Sequence, residues 1–304
     1  QGRLRLRLWI DNMAAELQTL RWEHLCYWRD DVPYRLAATA DHPFSRYFGL
    51  GAADPEPLAA TPVRMLAVMA NPRNLSDYKL APLAPEAEIL NLLEALKDVS
   101  NTDVTLLPGQ SPISDALQQR LADAGITAVT GPASFDKLLE LLGRQPGYNL
   151  LHFLGHGGYS QRHKQFGLFF EDEIGNVEQV RERELATGLQ ETGWLPHLIF
   201  LAACESAKRL PEVANPFVGI APRLLQAGVP TVVAMQDTIS VPAASKLTRV
   251  SYRSLFESGL VDKAMNQARS TLARDDALES AIPVLFTRLR SGCLFAGSVT
   301  TKKA

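Results

Sequence analysis

Beyond residue 62 the sequence alternates short apolar runs with amphipathic stretches, and that alternation leaves few folds open. The runs at 63–70 (VRMLAVMA), 103–108 (DVTLLP), 149–155 (NLLHFLG), 197–203 (HLIFLAA), 230–235 (PTVVAM) and 282–289 (IPVLFTRL) read as strands of a buried sheet. Between them, 85–99, 113–125, 134–143, 180–189, 215–228, 243–257 and 261–273 read as helices. Ser114 and Ser134 stand where N-caps belong, and Gly125 and Gly143 where helices stop. Pro222 falls inside the 215–228 stretch, so the first turn there is expected to be a separate piece. The 166–180 segment is expected to be a hairpin that turns near Gly175 and Asn176. Strands alternating with helices specify an α/β fold, here a mostly parallel six-stranded sheet with helices on both faces.

The first 60 residues do not follow this rhythm. Residues 3–10 put Leu4, Leu6, Leu8 and Ile10 on one side and Arg3, Arg5, Arg7 and Trp9 on the other, a period of two that predicts a half-buried strand. Leu17, Leu20, Trp22, Leu25 and Trp28 suggest a short helix or turn packed on a neighbour. The Gly-, Pro- and Ala-rich 49–62 is the best linker candidate. The expected organisation is an N-terminal β-rich extension over 1–60, packed on a core domain over 61–304.

Net charge is −2, so no global basic field argues for nucleic acid or an acidic membrane. No apolar run approaches the ~18 residues of a spanning helix, and no membrane partner is expected. The start carries no signal-peptide pattern, and a chain that opens on Gln1 is expected to be processed or cut from a longer protein. Three cysteines, Cys26, Cys204 and Cys293, do not make a disulfide framework; they fit a reducing, cytoplasmic setting in which thiol chemistry is open.

Two stretches share one grammar. LLHFLGHGGYS (151–161) ends an apolar run on His156 among Gly155, Gly157 and Gly158, and LIFLAACESAK (198–208) ends one on Cys204. In parallel sheets, functional residues gather past the carboxyl ends of strands. If the two strands are neighbours, the imidazole and the thiol emerge at one edge. A thiol reacts as its thiolate, and a nearby imidazole takes the proton. The two residues are 48 positions apart, close to the roughly 50 of caspases. The glycines give a substrate backbone room, and the N–H groups of Gly157 and Cys204 are candidate oxyanion donors.

Other chemistries fit poorly. The glycine stretch lacks the third glycine of a dinucleotide loop, Ser160 standing in its place, and a hairpin is expected where a helix is required. The sequence has no Gly-Lys-Ser/Thr phosphate loop and no G-x-S-x-G elbow. His152, in phase with Leu150 and Leu154, reads as a satisfied core histidine, and Arg162, His163 and Lys164 as a solvated loop tip. No metal site or cofactor is expected. Cys26 and Cys293 sit in apolar contexts and read as structural.

The ordered set of motifs resembles the CHAT domain, a caspase-like peptidase family related to separase. HFLGHG (152–157) is similar to its histidine motif and LAACESA (201–207) to its cysteine motif; AGVPTVVAMQDTIS (227–240), VDKAMNQAR (261–269) and IPVLFTRL (282–289) resemble its later elements, and 17–27 resembles how members begin. The resemblance implies a caspase-like (caspase–hemoglobinase) fold and a metal-free cysteine endopeptidase. In it His156 would be general base and acid, Cys204 the nucleophile, and Gly157 and Cys204 the oxyanion donors. It also implies one specific protein substrate, a setting in bacterial defence or programmed death, and a possible activator or fused sensor or repeat module. Asp237 follows AMQ where many relatives carry an aromatic. Separase-like enzymes place acids in this loop to receive a basic side chain before the scissile bond, so Asp237 either lines such a pocket or caps a turn. Glu205 and Asp172 are rival acids. A catalytically silent caspase-like interaction module is the alternative to an enzyme; a nucleotide-binding α/β module is a third reading, without a phosphate loop to support it.

Overall fold

The computed structural model describes residues 4–11, 14–18, 20–39, 42–49, 54–59, 62–99, 101–160, 163–202 and 216–297. The chain opens with strand β1 (Leu6–Trp9), the single-turn helix α1 (Ala15–Gln18), a hairpin of β2 (Cys26–Arg29) and β3 (Val32–Arg35), and β4 (Phe44–Tyr47). The alternating region follows: β5 (Val63–Met69), α2 (Pro85–Leu96), β6 (Thr102–Leu107), α3 (Asp115–Asp123), the two-residue β7 (Thr127–Ala128), α4 (Phe135–Leu142) and β8 (Leu150–Leu154). Next come β9 (Gly157–Ser160), β10 (Gln165–Glu171), β11 (Val177–Arg181), α5 (Glu182–Glu191), β12 (Leu198–Ala202) and α6 (Pro216–Gln226). The last elements are β13 (Thr231–Met235), α7 (Val241–Ser258), α8 (Val261–Leu272) and β14 (Pro283–Thr287).

Side chains on a strand alternate between faces, and here each face meets its own apolar layer. Met65, Ala67 and Met69 of β5, Leu150 and Leu154 of β8, Leu198 and Phe200 of β12, and Val233 and Met235 of β13 join one cluster. That cluster is closed by α2, α3, α7 and α8 through residues such as Ile89, Leu117, Leu255 and Met265. The intervening Leu66, Val68, Leu151, Phe153, Ile199, Leu201, Val232 and Ala234 face a second cluster built with α4, α5, α6 and β10. A sheet covered on both faces needs the unbroken apolar strands that the sequence carries.

The sheet order is β1-β4-β14-β13-β12-β8-β5-β6-β7, and among the described residues only β13 and β14 pair antiparallel in it. The sheet is therefore α/β and mostly parallel as expected, but among the described residues it has nine strands rather than six. Two of the additional three, β1 and β4, come from the N-terminal segment and extend the sheet beyond β14. The hairpin expected over 166–180 forms as β10 and β11, and β9 adds to it as a third strand. Ser114 and Ser134 cap α3 and α4 by accepting from Leu117 N and Lys137 N. Pro222 lies inside α6, which runs as one helix and not with a separate first turn.

The N-terminal segment is fastened differently from what its apolar residues suggest. Leu17, Leu20, Leu25 and Trp28 are exposed, and Cys26 is exposed on β2. The buried anchor is Glu23, whose carboxylate accepts from Arg46 Nε (3.0 Å) and Nη2 (2.6 Å). Arg46 also donates to the Gln18 and Leu20 carbonyls and to Gln236 Oε1. A bidentate ion pair of this kind holds two planar groups in one geometry, and it ties the segment to β4 and to the loop after β13. Within the stretch expected as a linker, Leu58 bridges Phe295.

Candidate active site

The chain winds from β5 outward to β6 on one side and to β8, β12 and β13 on the other. The strand order thus reverses between β5 and β8, and the carboxyl edge at such a reversal is where open α/β sheets bind ligands. Leu154 and Ala202 end β8 and β12 as paired neighbours, and Gly155 N donates to the Ala202 carbonyl (3.4 Å). His156 follows β8 by two residues. Cys204 follows Ala202 by two residues in the sequence, and both Cys204 and Glu205 lie outside the described residues.

His156 is 2% exposed. Burial holds its imidazole below the ordinary histidine value, while a hydrogen bond to the backbone carbonyl of Ala81 pulls it partly back up. A ring that donates one N–H to a main-chain oxygen has its tautomer set by that bond. The sequence offered no orienting carboxylate; the orienting group is a carbonyl from the segment between 79 and 84, and a backbone atom leaves no residue-type signature.

Gly157 begins β9. Phe169 N donates to the His156 carbonyl (2.9 Å), and Gly157 is opposite Leu168 in the same antiparallel ladder. Antiparallel pairs alternate between bonded and unbonded positions, so Gly157 takes the unbonded one, with its N–H directed away from β10. A side chain at the flanking glycines has no room: a Cβ on Gly155 would meet Phe153 at 2.7 Å and one on Gly158 would meet Phe169 at 2.8 Å.

The three acids fall in different roles. Asp237, two residues past β13, pairs through Oδ2 with Arg21 and accepts from Thr238 N through Oδ1 (2.7 Å). Asp172 shapes the β10–β11 turn, its Oδ1 accepting from Ile174 N and Asn176 N (3.0 and 2.8 Å). The acid that sequence reasoning missed is Glu171, buried at the end of β10. Its carboxylate accepts from Asn71 N (3.2 Å), Gln110 N (2.9 Å) and Ala133 N (2.9 Å), joining the loops after β5 and β6 and the loop before α4. Its place at the end of an apolar run, FGLFFE, was the available signal.

His152 is buried with Nδ1 2.7 Å from Tyr252 Oη and its ring stacked on Phe200. Burial lowers its pKa to about 3, so it stays neutral. Among the described residues, no group of three or more His, Cys, Asp or Glu side chains is placed to hold a metal, and no helix is long and apolar enough to cross a membrane.

The CHAT domain family model matches residues 1–290. No curated protein gives a significant match. Among solved structures, the chain is similar to one from the Saccharomyces cerevisiae separase–securin complex at 2.6 Å, with 15% identity and a TM-score of 0.43 over 82% of this chain. It is also similar to one from the 3.0 Å structure of that complex, with 16% identity and a TM-score of 0.39 over 77% of this chain. The match spans 14% and 12% of those two chains, respectively.

Proposed function

The chain belongs to the CHAT domain family, and on that premise we propose that it is a cysteine endopeptidase in which His156 and Cys204 are the reacting pair. The observation that carries this reading is the pairing of Leu154 with Ala202 at the ends of β8 and β12, with His156 just beyond and its ring held by Ala81. In the proposed reaction, His156 takes the Cys204 proton and the thiolate attacks the peptide carbonyl. The oxyanion is met by the N–H groups of Gly157 and Cys204. His156 then protonates the leaving amine, and afterwards activates the water that hydrolyses the thioester.

The substrate class is protein, and its delivery is specific: one partner, in a defence or regulated-death pathway, under an activator or fused sensor module. The burial of His156 supports a resting form in which access to the ring opens only on activation. The same burial favours the second reading, a silent module that only binds a partner.

The test is a peptide-library cleavage screen with the parent chain and with Cys204→Ala and His156→Ala. Cleavage by the parent that is absent from both variants supports the peptidase. Cleavage that persists in Cys204→Ala removes the nucleophile assignment, and no cleavage together with no labelling of Cys204 by an electrophilic thiol probe favours the silent module.

A further inference from the structure

The Ala81 carbonyl that meets the His156 ring belongs to a short segment fastened to the sheet edge at Leu83. Residues 79–84 lie between a short 3-10 turn and α2; Leu80 sits in a β-bridge, and 81–84 carry no regular structure. Their backbone hydrogen bonds are mostly local: Lys79 N to the Ser76 carbonyl, Leu80 N to the Leu75 carbonyl, and Glu88 N to the Ala84 carbonyl. Ala81 itself is exposed and precedes Pro82, which restricts it to extended backbone. The attachment to the sheet edge is at Leu83, whose side chain is buried and whose N–H donates to Asn71 Oδ1 (2.9 Å).

Asn71 is itself held from several sides. It follows Ala70, whose N–H donates to the Leu154 carbonyl (2.9 Å), two residues before His156. Its own N–H goes to Glu171, and its Nδ2 donates to Ser111 Oγ (3.1 Å). Glu171 is fixed in turn by Gln110 N and Ala133 N. Asn71 therefore links two stretches that lead to one imidazole: Ala70 before it is bonded to Leu154 at the end of β8, and its own Oδ1 holds Leu83, two residues after Ala81.

We propose that Asn71 is the positioning residue for His156: by accepting from Leu83 N it places the Ala81 carbonyl against the imidazole. The inference rests on the reading of His156 as the base, but its main readout does not. Asn71 does not touch the reacting atoms. It acts through Leu83, Pro82 and Ala81, and its removal leaves the thiol and the imidazole chemically intact.

The experiment measures the His156 titration midpoint by NMR in a Cys204→Ala background, where no thiol titrates alongside it. It also measures alkylation of Cys204 by iodoacetamide at pH 7 in the otherwise unchanged chain, by peptide mass spectrometry. Asn71→Ala is expected to lower the His156 midpoint by about one pH unit, the worth of one hydrogen bond to the ring. It is expected to slow Cys204 alkylation about tenfold. Asn71→Asp keeps an oxygen for Leu83 N and is expected to restore both. Ser111→Ala leaves the Leu83 bond in place and is expected to match the parent. If Asn71→Ala does not fold, Asn71→Ser, whose hydroxyl is too short to reach Leu83 N, is held to the same outcomes. An unchanged midpoint in a folded Asn71→Ala or Asn71→Ser chain overturns the proposal, as does a midpoint in Asn71→Asp that moves as far as in the Ala or Ser chain. If the parent cleaves no peptide and Cys204 is not labelled, the peptidase reading falls while the NMR arm still decides the role of Asn71.

Discussion

Leu154 and Ala202 are paired as the last residues of adjacent parallel strands, so the chain leaves β8 toward His156 and β12 toward Cys204 from the same edge of the sheet. An imidazole beside a thiol raises its thiolate fraction. Cys204 is therefore expected to alkylate with iodoacetamide at pH 7 at least about tenfold faster than Cys26, although Cys26 is exposed. His156→Ala is expected to bring the two rates together. Time-resolved peptide mass spectrometry measures both, and equal rates in the parent chain would remove the imidazole–thiol coupling.

His152 makes a separate prediction about acid stability. Its folded pKa is about 3 and the ordinary value is 6.5, so below about pH 6.5 the unfolded chain takes up a proton that the folded one refuses. The stability in question is complete above pH 6.5 and is lost progressively as the pH falls toward about 3, by about 4–5 kcal/mol at the acid end. His156, also held below its ordinary value, acts in the same direction. Replacing His152 by Phe removes the titration and leaves Tyr252 Oη without its partner, at a cost of about 1–3 kcal/mol at neutral pH. Urea midpoints are expected to be lower for His152→Phe at pH 7 and to change less with pH between 6.5 and 4. Parallel pH curves for the two proteins would count against the buried neutral imidazole.

Glu23 and Arg46 give the N-terminal segment its anchor, with both side chains out of contact with solvent. Glu23→Ala leaves the Arg46 guanidinium buried without its carboxylate, and is expected to destabilise the chain by about 3–5 kcal/mol. The double variant Glu23→Leu with Arg46→Met removes both charges and is expected to recover most of that loss. Thermal unfolding of the two variants measures the difference. A double variant no more stable than Glu23→Ala would show that the pair's value lies in its bonds to Gln18, Leu20 and Gln236 rather than in charge balance.

The parts of the fold legible in the sequence are those whose pattern reports burial. β5, β6, β8, β12, β13 and β14 are apolar on both faces and stand out as runs. β4 does not, because its buried residues include Ser45 and Arg46, and a buried arginine looks like a solvated one until Glu23 is placed beside it. β9 is two glycines, Tyr159 and Ser160, a composition that reads as loop, and its pairing with β10 is a long-range event. Leu17, Leu20, Leu25 and Trp28 misled in the other direction, since apolar residues at helical spacing are not bound to be buried. At the site, the sequence left the pairing of β8 with β12 open, but the runs ending near 156 and 204 stood out. Ala81, Asn71 and Glu171 did not, because their contribution is a main-chain carbonyl, an amide and a carboxylate whose partners, the His156 ring and the N–H groups of Leu83 and Ala133, are brought to them only by the fold.

Arg21 and Asp237 form the remaining relationship with a consequence for specificity. Asp237 stands past the end of β13, the strand beside β12 in the sheet, and its proposed role is to receive a substrate side chain next to the scissile bond. Its carboxylate already meets a guanidinium, that of Arg21. The pair is partly open to water, with side-chain exposures of 56% for Arg21 and 27% for Asp237, so it contributes little to stability, and a competing cation can replace Arg21. Arg21→Ala is therefore expected to shift stability by less than about 1 kcal/mol. It is also expected to raise kcat/KM for peptides with Arg before the scissile bond, relative to Leu, by about three- to tenfold. Asp237→Ala is expected to flatten that ratio and to remove the effect of Arg21→Ala in the double variant. Paired Arg and Leu peptides measured in the four proteins decide it. A ratio that is the same in all four would leave Asp237 as the acceptor of Thr238 N and the partner of Arg21, a turn cap with no part in choosing the substrate.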